Sequence, residues 1–199
     1  MKRKLLFVSS ALILAVASFM LIEKNWASSE HAIGTPIDSF NGVNVYYNGL
    51  ISNVSGRNLT ADNYNLGLKY QCVEFVKRYY YEHYRHKMPD PYGHAKDFFN
   101  DEIKDGEINK KRNLIQYRNP SKSPPKVGDL VVFDGHIANR YGHVAIISAV
   151  EKDRIEIIQQ NPGPREKSRV NMPVSIRNGL WRIEYGRTLG WLRKESGQK

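Results

Sequence analysis

One cysteine in 199 residues, Cys72, excludes an internal disulfide. No glycine-rich phosphate loop is present, so nothing here points to nucleotide-driven chemistry. His83 and His86 share a helical face, yet no cysteine or carboxylate set accompanies them, which argues against a zinc site. Beyond Ile22 no apolar run is long enough to span a bilayer. Internal repeats and low-complexity stretches are absent as well. Carboxylates are the scarcer charge, 20 Asp and Glu against 30 Lys and Arg, giving a formal net charge of +10.

The N-terminus supplies what the rest lacks. Met1-Lys2-Arg3-Lys4 is a positive segment, and Leu5 to Ile22 is an uncharged apolar run. Residues 1–29 therefore read as a secretory signal, with cleavage after Ala15-Val16-Ala17 or near Ala27-Ser28-Ser29, or as an uncleaved membrane anchor. Either reading exports the remainder and limits membrane contact to this segment. Loss of Lys2, Arg3, Lys4, Lys24 and Glu23 lowers the net charge to +7. A basic exported domain suits an anionic envelope polymer, and export argues against nucleic acid. An unpaired thiol in an oxidising compartment is a liability unless it has a task.

Residues 30–40 read as a polar linker, 41–194 as the domain and 195–199 as a polar tail. Val43 to Tyr47 suggests a short strand, and Asn53 to Asn65 a loop. A helix is predicted from Gln71 to about Arg85, because Cys72, Val76, Tyr79 and Tyr80 recur at helical spacing before Pro89. Tyr79, Tyr80, Tyr81 and Tyr84 then serve as core and rim. A second short helix is expected through Ala95 to Phe99, and Asp101 to Pro120 reads as irregular. From Pro124 the period changes to strands: Val127–Phe133, Gly142–Val150, Arg154–Asn161 and Leu189–Arg193. The order gives an α+β fold with N-terminal helices packed on an antiparallel sheet.

Cys72 stands at the predicted helix start, where the dipole favours a thiolate. His143 stands at the mouth of an apolar strand and supplies a base. If Gly142–Val150 and Arg154–Asn161 form a hairpin around Glu151-Lys152-Asp153, His143 lies near Gln159 to Asn161. A side-chain amide there can hold the imidazole toward Cys72. Taken singly, each element also has a plain structural reading: a buried small cysteine, a surface histidine, a strand end before Pro162-Gly163. His94 reads as surface, and His136 as a loop residue near the cleft.

Gln71-Cys72-Val73-Glu74-Phe75, Gly142-His143-Val144-Ala145-Ile146-Ile147 and Gln159-Gln160-Asn161 resemble, in order and spacing, the motifs of CHAP domains, the cysteine- and histidine-dependent amidohydrolases/peptidases. The turn Pro125 to Asp129 and Leu189-Gly190-Trp191 extend the resemblance, which is nearest to the amidase domain of glutathionylspermidine synthetase/amidase. It implies a papain-like fold, Cys72 as nucleophile, His143 as general base, and no cofactor or metal. It also implies that Gln71 joins the Cys72 N–H in an oxyanion hole; capping of the helix is the alternative role. Gln159 stands where the family often has Glu, so the imidazolium lacks a carboxylate partner, and Asn161 is a candidate to share the orienting role.

The resulting expectation is an exported cysteine amidase or endopeptidase acting on peptidoglycan stem peptides or cross-links. Hydrolysis of a glutathione–polyamine amide is the alternative, and a weakly active wall-binding module a third reading.

Overall fold

The computed structural model describes residues 31–137, 139–163 and 166–195. The expected signal or anchor, and all but the first residue of the tail, lie outside them. The chain divides into a unit Met1–Ala32 and a unit Ile33–Lys199, and every strand and helix among the described residues belongs to the second. Among the described residues no helix is long and apolar enough to cross a membrane.

Strands β1 (Pro36–Phe40) and β2 (Val43–Tyr46) form a hairpin, and β3 (Arg57–Leu59) pairs with β4 (Asn65–Leu68). Helix α1 (Cys72–Tyr84) follows, then β5 (Glu107–Asn109), β6 (Leu114–Arg118), β7 (Leu130–Phe133), β8 (His143–Val150), β9 (Arg154–Ile158), β10 (Arg169–Arg177), β11 (Leu180–Ile183) and β12 (Thr188–Arg193). The last eight make one sheet in the order β11-β10-β9-β8-β7-β12-β6-β5, antiparallel throughout.

Alternation sorts this sheet into two faces. Leu130, Val132, Val144, Ile146, Ile158 and Leu192 pack with Phe75, Val76, Tyr79 and Tyr80 of α1. Val131, Ala145, Ile147, Ile155, Ile157 and Trp191 form a second core on the opposite face. The helix ends at Arg85, whose left-handed backbone (φ 54°) lets its N–H reach the Tyr80 carbonyl. Beyond it, the Pro125–Asp129 turn closes over the same end. Gly128 (φ +89°) lies where a Cβ would stand 2.0 Å from Tyr84 Oη, and Tyr80 Oη donates to the carbonyls of Gly128 and Leu192. Asp129 accepts two bonds from Arg193, at 2.7 and 2.6 Å, in a buried pair that ties the turn to β12.

The fold is α+β in composition, but the expected set of N-terminal helices reduces to α1 among the described residues. The Ala95 to Phe99 segment is a single 3-10 turn, Lys96–Phe98. Its chain becomes extended at Phe99, where two consecutive phenylalanines are buried. Three further expectations need correction. The predicted linker contains β1, the predicted loop contains β3, and the predicted irregular stretch contains β5 and β6. In β6 the inward positions are Leu114 and Gln116, and the Gln116 amide is satisfied by Asn100 and Asn109, so burial there is not apolar throughout.

Candidate active site

The nucleophile's position begins with strain. Tyr70 adopts φ +45°, an unfavourable left-handed conformation for a bulky residue. Gln71 then runs extended (φ −81°, ψ 160°) and Cys72 opens α1. Gly67 of β4 approaches the first turn so closely that a Cβ would lie 3.2 Å from the Glu74 backbone. The orphan N–H groups of Cys72 and Val73, with the N–H of Val144, surround the Cys72 thiol and favour its ionised form. Burial opposes them and prevails: the thiol is pushed up to about 11.

His143 begins β8, one residue before the N–H that reaches the thiol. Gly142 (φ +75°) delivers it, in a space where a Cβ would meet the Phe133 carbonyl at 2.5 Å and Lys96 at 3.0 Å. The imidazole lies against Phe133, with ring centroids 6.2 Å apart and planes 21° apart. Its Nε2 is 2.9 Å from Gln159 Oε1. Gln159 Nε2 donates to the Lys167 carbonyl at 3.0 Å, so the amide oxygen must face the ring. His143 therefore carries its proton on Nε2, and Nδ1 is the ring atom left as a base. Burial lowers His143 to about 4, with the Gln159 bond opposing the shift. Thiol and imidazole each rest neutral.

Gln71 and Asn161 meet beside the nucleophile. Asn161 adopts φ +55° and donates Nδ2 to Gln71 Oε1 (2.8 Å) and to the Ile51 carbonyl (3.1 Å). Gln71 Nε2 donates to the carbonyls of Ile51 (3.0 Å) and Asn53 (2.7 Å). Gln71 makes no side-chain cap bond to α1. Both of its amide hydrogens are spent on the 51–53 loop, while Asn161 Oδ1 is buried without a partner. Thus His143 and Gln159 form one linked pair, Val144 next to His143 brings its N–H to the Cys72 thiol, and Gln71 and Asn161 form a second group joined to the loop rather than to the imidazole.

Gln160 went unselected in the sequence, and the structure places it at the centre of a buried network. Its Oε1 accepts from Tyr46 N (2.8 Å), and its Nε2 donates to the Gln71 carbonyl (3.0 Å) and to Glu74 Oε2 (2.8 Å). Glu74 also accepts from Arg78 (2.6 Å) and Asn58 (2.7 Å). Strand parity was the available signal, since residues 159 and 160 must face opposite sides. Three further histidines have partners of their own. His94 packs on Tyr141, His83 on Tyr79, and His86 bonds the Arg112 carbonyl. His136 is exposed in the 134–142 loop. Among the described residues no set of three or more His, Cys, Asp or Glu side chains is grouped to hold a metal.

A thiol at a helix start, an imidazole with a fixed tautomer and an amide that orients it define a class of cysteine-dependent hydrolases. The CHAP domain family model matches residues 62–161, which is 100 of the 199 residues and includes all three groups. The chain belongs to the CHAP domain family, and this membership supports a hydrolase. Trypanothione synthetase of Crithidia fasciculata is 32% identical over 107 residues, 54% of this chain and 16% of that protein. Glutathionylspermidine synthase of the same organism is 30% identical over 138 residues, 64% of this chain and 19% of that protein. The chain thus matches under a fifth of the length of either relative. The crystal structure of Ly7917 matches 38% of this chain and 30% of its own, at 26% identity and a TM-score of 0.26.

Proposed function

We propose that this protein is an exported cysteine amidase or endopeptidase that cuts amide bonds in peptidoglycan stem peptides or cross-links. The observation that carries the chemistry is the His143–Gln159–Lys167 chain, which leaves Nδ1 as the proton acceptor on the residue next to Val144, whose N–H reaches the Cys72 thiol. Cys72 Sγ attacks the amide carbonyl as its proton passes to His143 Nδ1. The tetrahedral oxyanion collapses, the C–N bond breaks, and the imidazolium protonates the leaving amine. Water, deprotonated by His143, then attacks the thioester and releases the acid and the free thiol. The buried, unpartnered Asn161 Oδ1 is suited to accept a substrate amide N–H. The signal-like N-terminus and the basic composition support a wall substrate.

The names of the two curated relatives favour a second reading, hydrolysis of a glutathione–polyamine amide such as glutathionylspermidine. Mass spectrometry of products released by the full chain in detergent separates the two, with Cys72→Ala in parallel. Stem-peptide fragments from sacculi, seen only with Cys72 present, are the expected result, and their masses name the bond. Release of spermidine from glutathionylspermidine with inert sacculi would transfer the assignment to the second substrate. No product from either would end the hydrolase reading.

A further inference from the structure

We infer that Gln160 is a positioning residue for the reaction, aiming the Cys72 backbone N–H at the oxyanion. The inference rests on the hydrolase reading above and adds a part to it. An acyl-transfer site needs donors directed at the developing oxyanion. Gln71 is the residue that the family resemblance points to, but both hydrogens of its amide are held by the carbonyls of Ile51 and Asn53. Of the three N–H groups around the thiol, the Cys72 N–H, an orphan of the helix start, is the one whose peptide plane Gln160 holds.

In a trans peptide the C=O and the N–H point in opposite directions, so fixing one fixes the other. The Gln71 carbonyl is held at two points. Phe75 N donates at 3.2 Å in the first helical bond, and Gln160 Nε2 donates at 3.0 Å from outside the helix. Gln160 is fully buried and cannot swing, because its Oε1 is pinned by Tyr46 N and its Nε2 also binds Glu74. Strand β2, the end of β9 and the helix start therefore converge on one peptide plane. With Gln160 removed, only the longer helical bond restrains it.

Two reactions of Cys72 separate aim from mere structure. Iodoacetamide alkylation forms an S–C bond, expels iodide and passes through no oxyanion. Acylation by p-nitrophenyl acetate forms one and expels p-nitrophenolate. In the full chain, Gln160→Met should slow the acyl burst roughly 10- to 100-fold, less than or up to the loss of a whole oxyanion donor. Its alkylation rate should stay within about twofold of wild type on the same grounds. Gln160→Asn, too short to span Tyr46 N and the Gln71 carbonyl together, should show the same selective loss if the methionine variant does not fold. Asn58→Leu removes a different bond to Glu74, 2.7 Å long, and should leave both reactions alone. Equal slowing of both reactions, or an equal acylation loss in Asn58→Leu, would overturn the role. A wild-type protein that alkylates at Cys72 but gives no burst overturns the hydrolase reading and, with it, the positioning role.

Discussion

Replacing Gln159 by Glu restores the carboxylate that this chain lacks, and the structure predicts the direction and size of the effect. Burial raises the Cys72 thiol to about 11 and lowers His143 to about 4, and both shifts favour the neutral forms. The thiolate–imidazolium pair is thus a minor species at rest. A carboxylate in the place of Gln159 Oε1, 2.9 Å from Nε2, adds an attraction to the imidazolium. Its own desolvation cancels part of that gain, leaving about 1.4 to 2.8 kcal/mol in favour of the ion pair, or ten- to a hundredfold. Alkylation of Cys72 by iodoacetamide at pH 6 to 7 should accelerate by that factor. Stability should move the other way, because the Lys167 carbonyl loses its donor at a cost of about 1 to 3 kcal/mol. An unchanged or slower alkylation rate in a folded Gln159→Glu protein would refute the assignment of Nε2 to residue 159 and Nδ1 to the thiol.

Arg193→Met strands Asp129 as an uncompensated buried carboxylate and should destabilise by about 3 to 5 kcal/mol, read as a lower midpoint in urea unfolding. Gly142→Ala forces a Cβ to within 2.5 Å of the Phe133 carbonyl at a φ of +75°, so His143 must shift. Alkylation and acylation should both fall at least tenfold, since base and thiol separate together. Acid should weaken the fold through His143. Its folded value of about 4 lies below the ordinary 6.5, so between those pH values the unfolded chain takes up a proton that the folded chain refuses. Stability is lost as pH falls through this window, by on the order of 3 kcal/mol in full. His143→Phe should flatten this part of a pH series of urea midpoints.

The parts of the fold that could be read directly were those where periodicity and burial agree. Helix α1 begins one residue after its predicted start, and β7, β8, β9 and β12 fall inside or within one residue of their expected spans. Strands β1 and β10, which escaped notice, each run into the same kind of turn. β1–β2 turns at Asn41-Gly42 and β10–β11 at Asn178-Gly179, each pair with both residues at positive φ, the geometry of a two-residue hairpin turn. β1 is short and largely exposed, so no apolar alternation marks it, whereas β10 does alternate Val170, Met172, Val174 and Ile176, with Pro173 interrupting the run. Pro173 is tolerated because it sits where pairing with β9 ends and pairing with β11 begins.

At the site, the hairpin register was enough to bring His143 to Gln159, because alternation puts both on the Ala145 and Ile157 side. That same alternation carries Gln160 to the α1 side, where Glu74 and the Gln71 carbonyl wait. Motif reading treats Gln159-Gln160-Asn161 as a single feature, whereas the three side chains serve three different partners. Gln159 orients the base, Gln160 holds the peptide of the nucleophile, and Asn161 binds Gln71 and the Ile51 carbonyl. The choice of amide over carboxylate at 159 follows from the Lys167 carbonyl, which requires a donor that Gln has and Glu lacks. No single strand pattern could reveal that partner, because it belongs to the segment between β9 and β10.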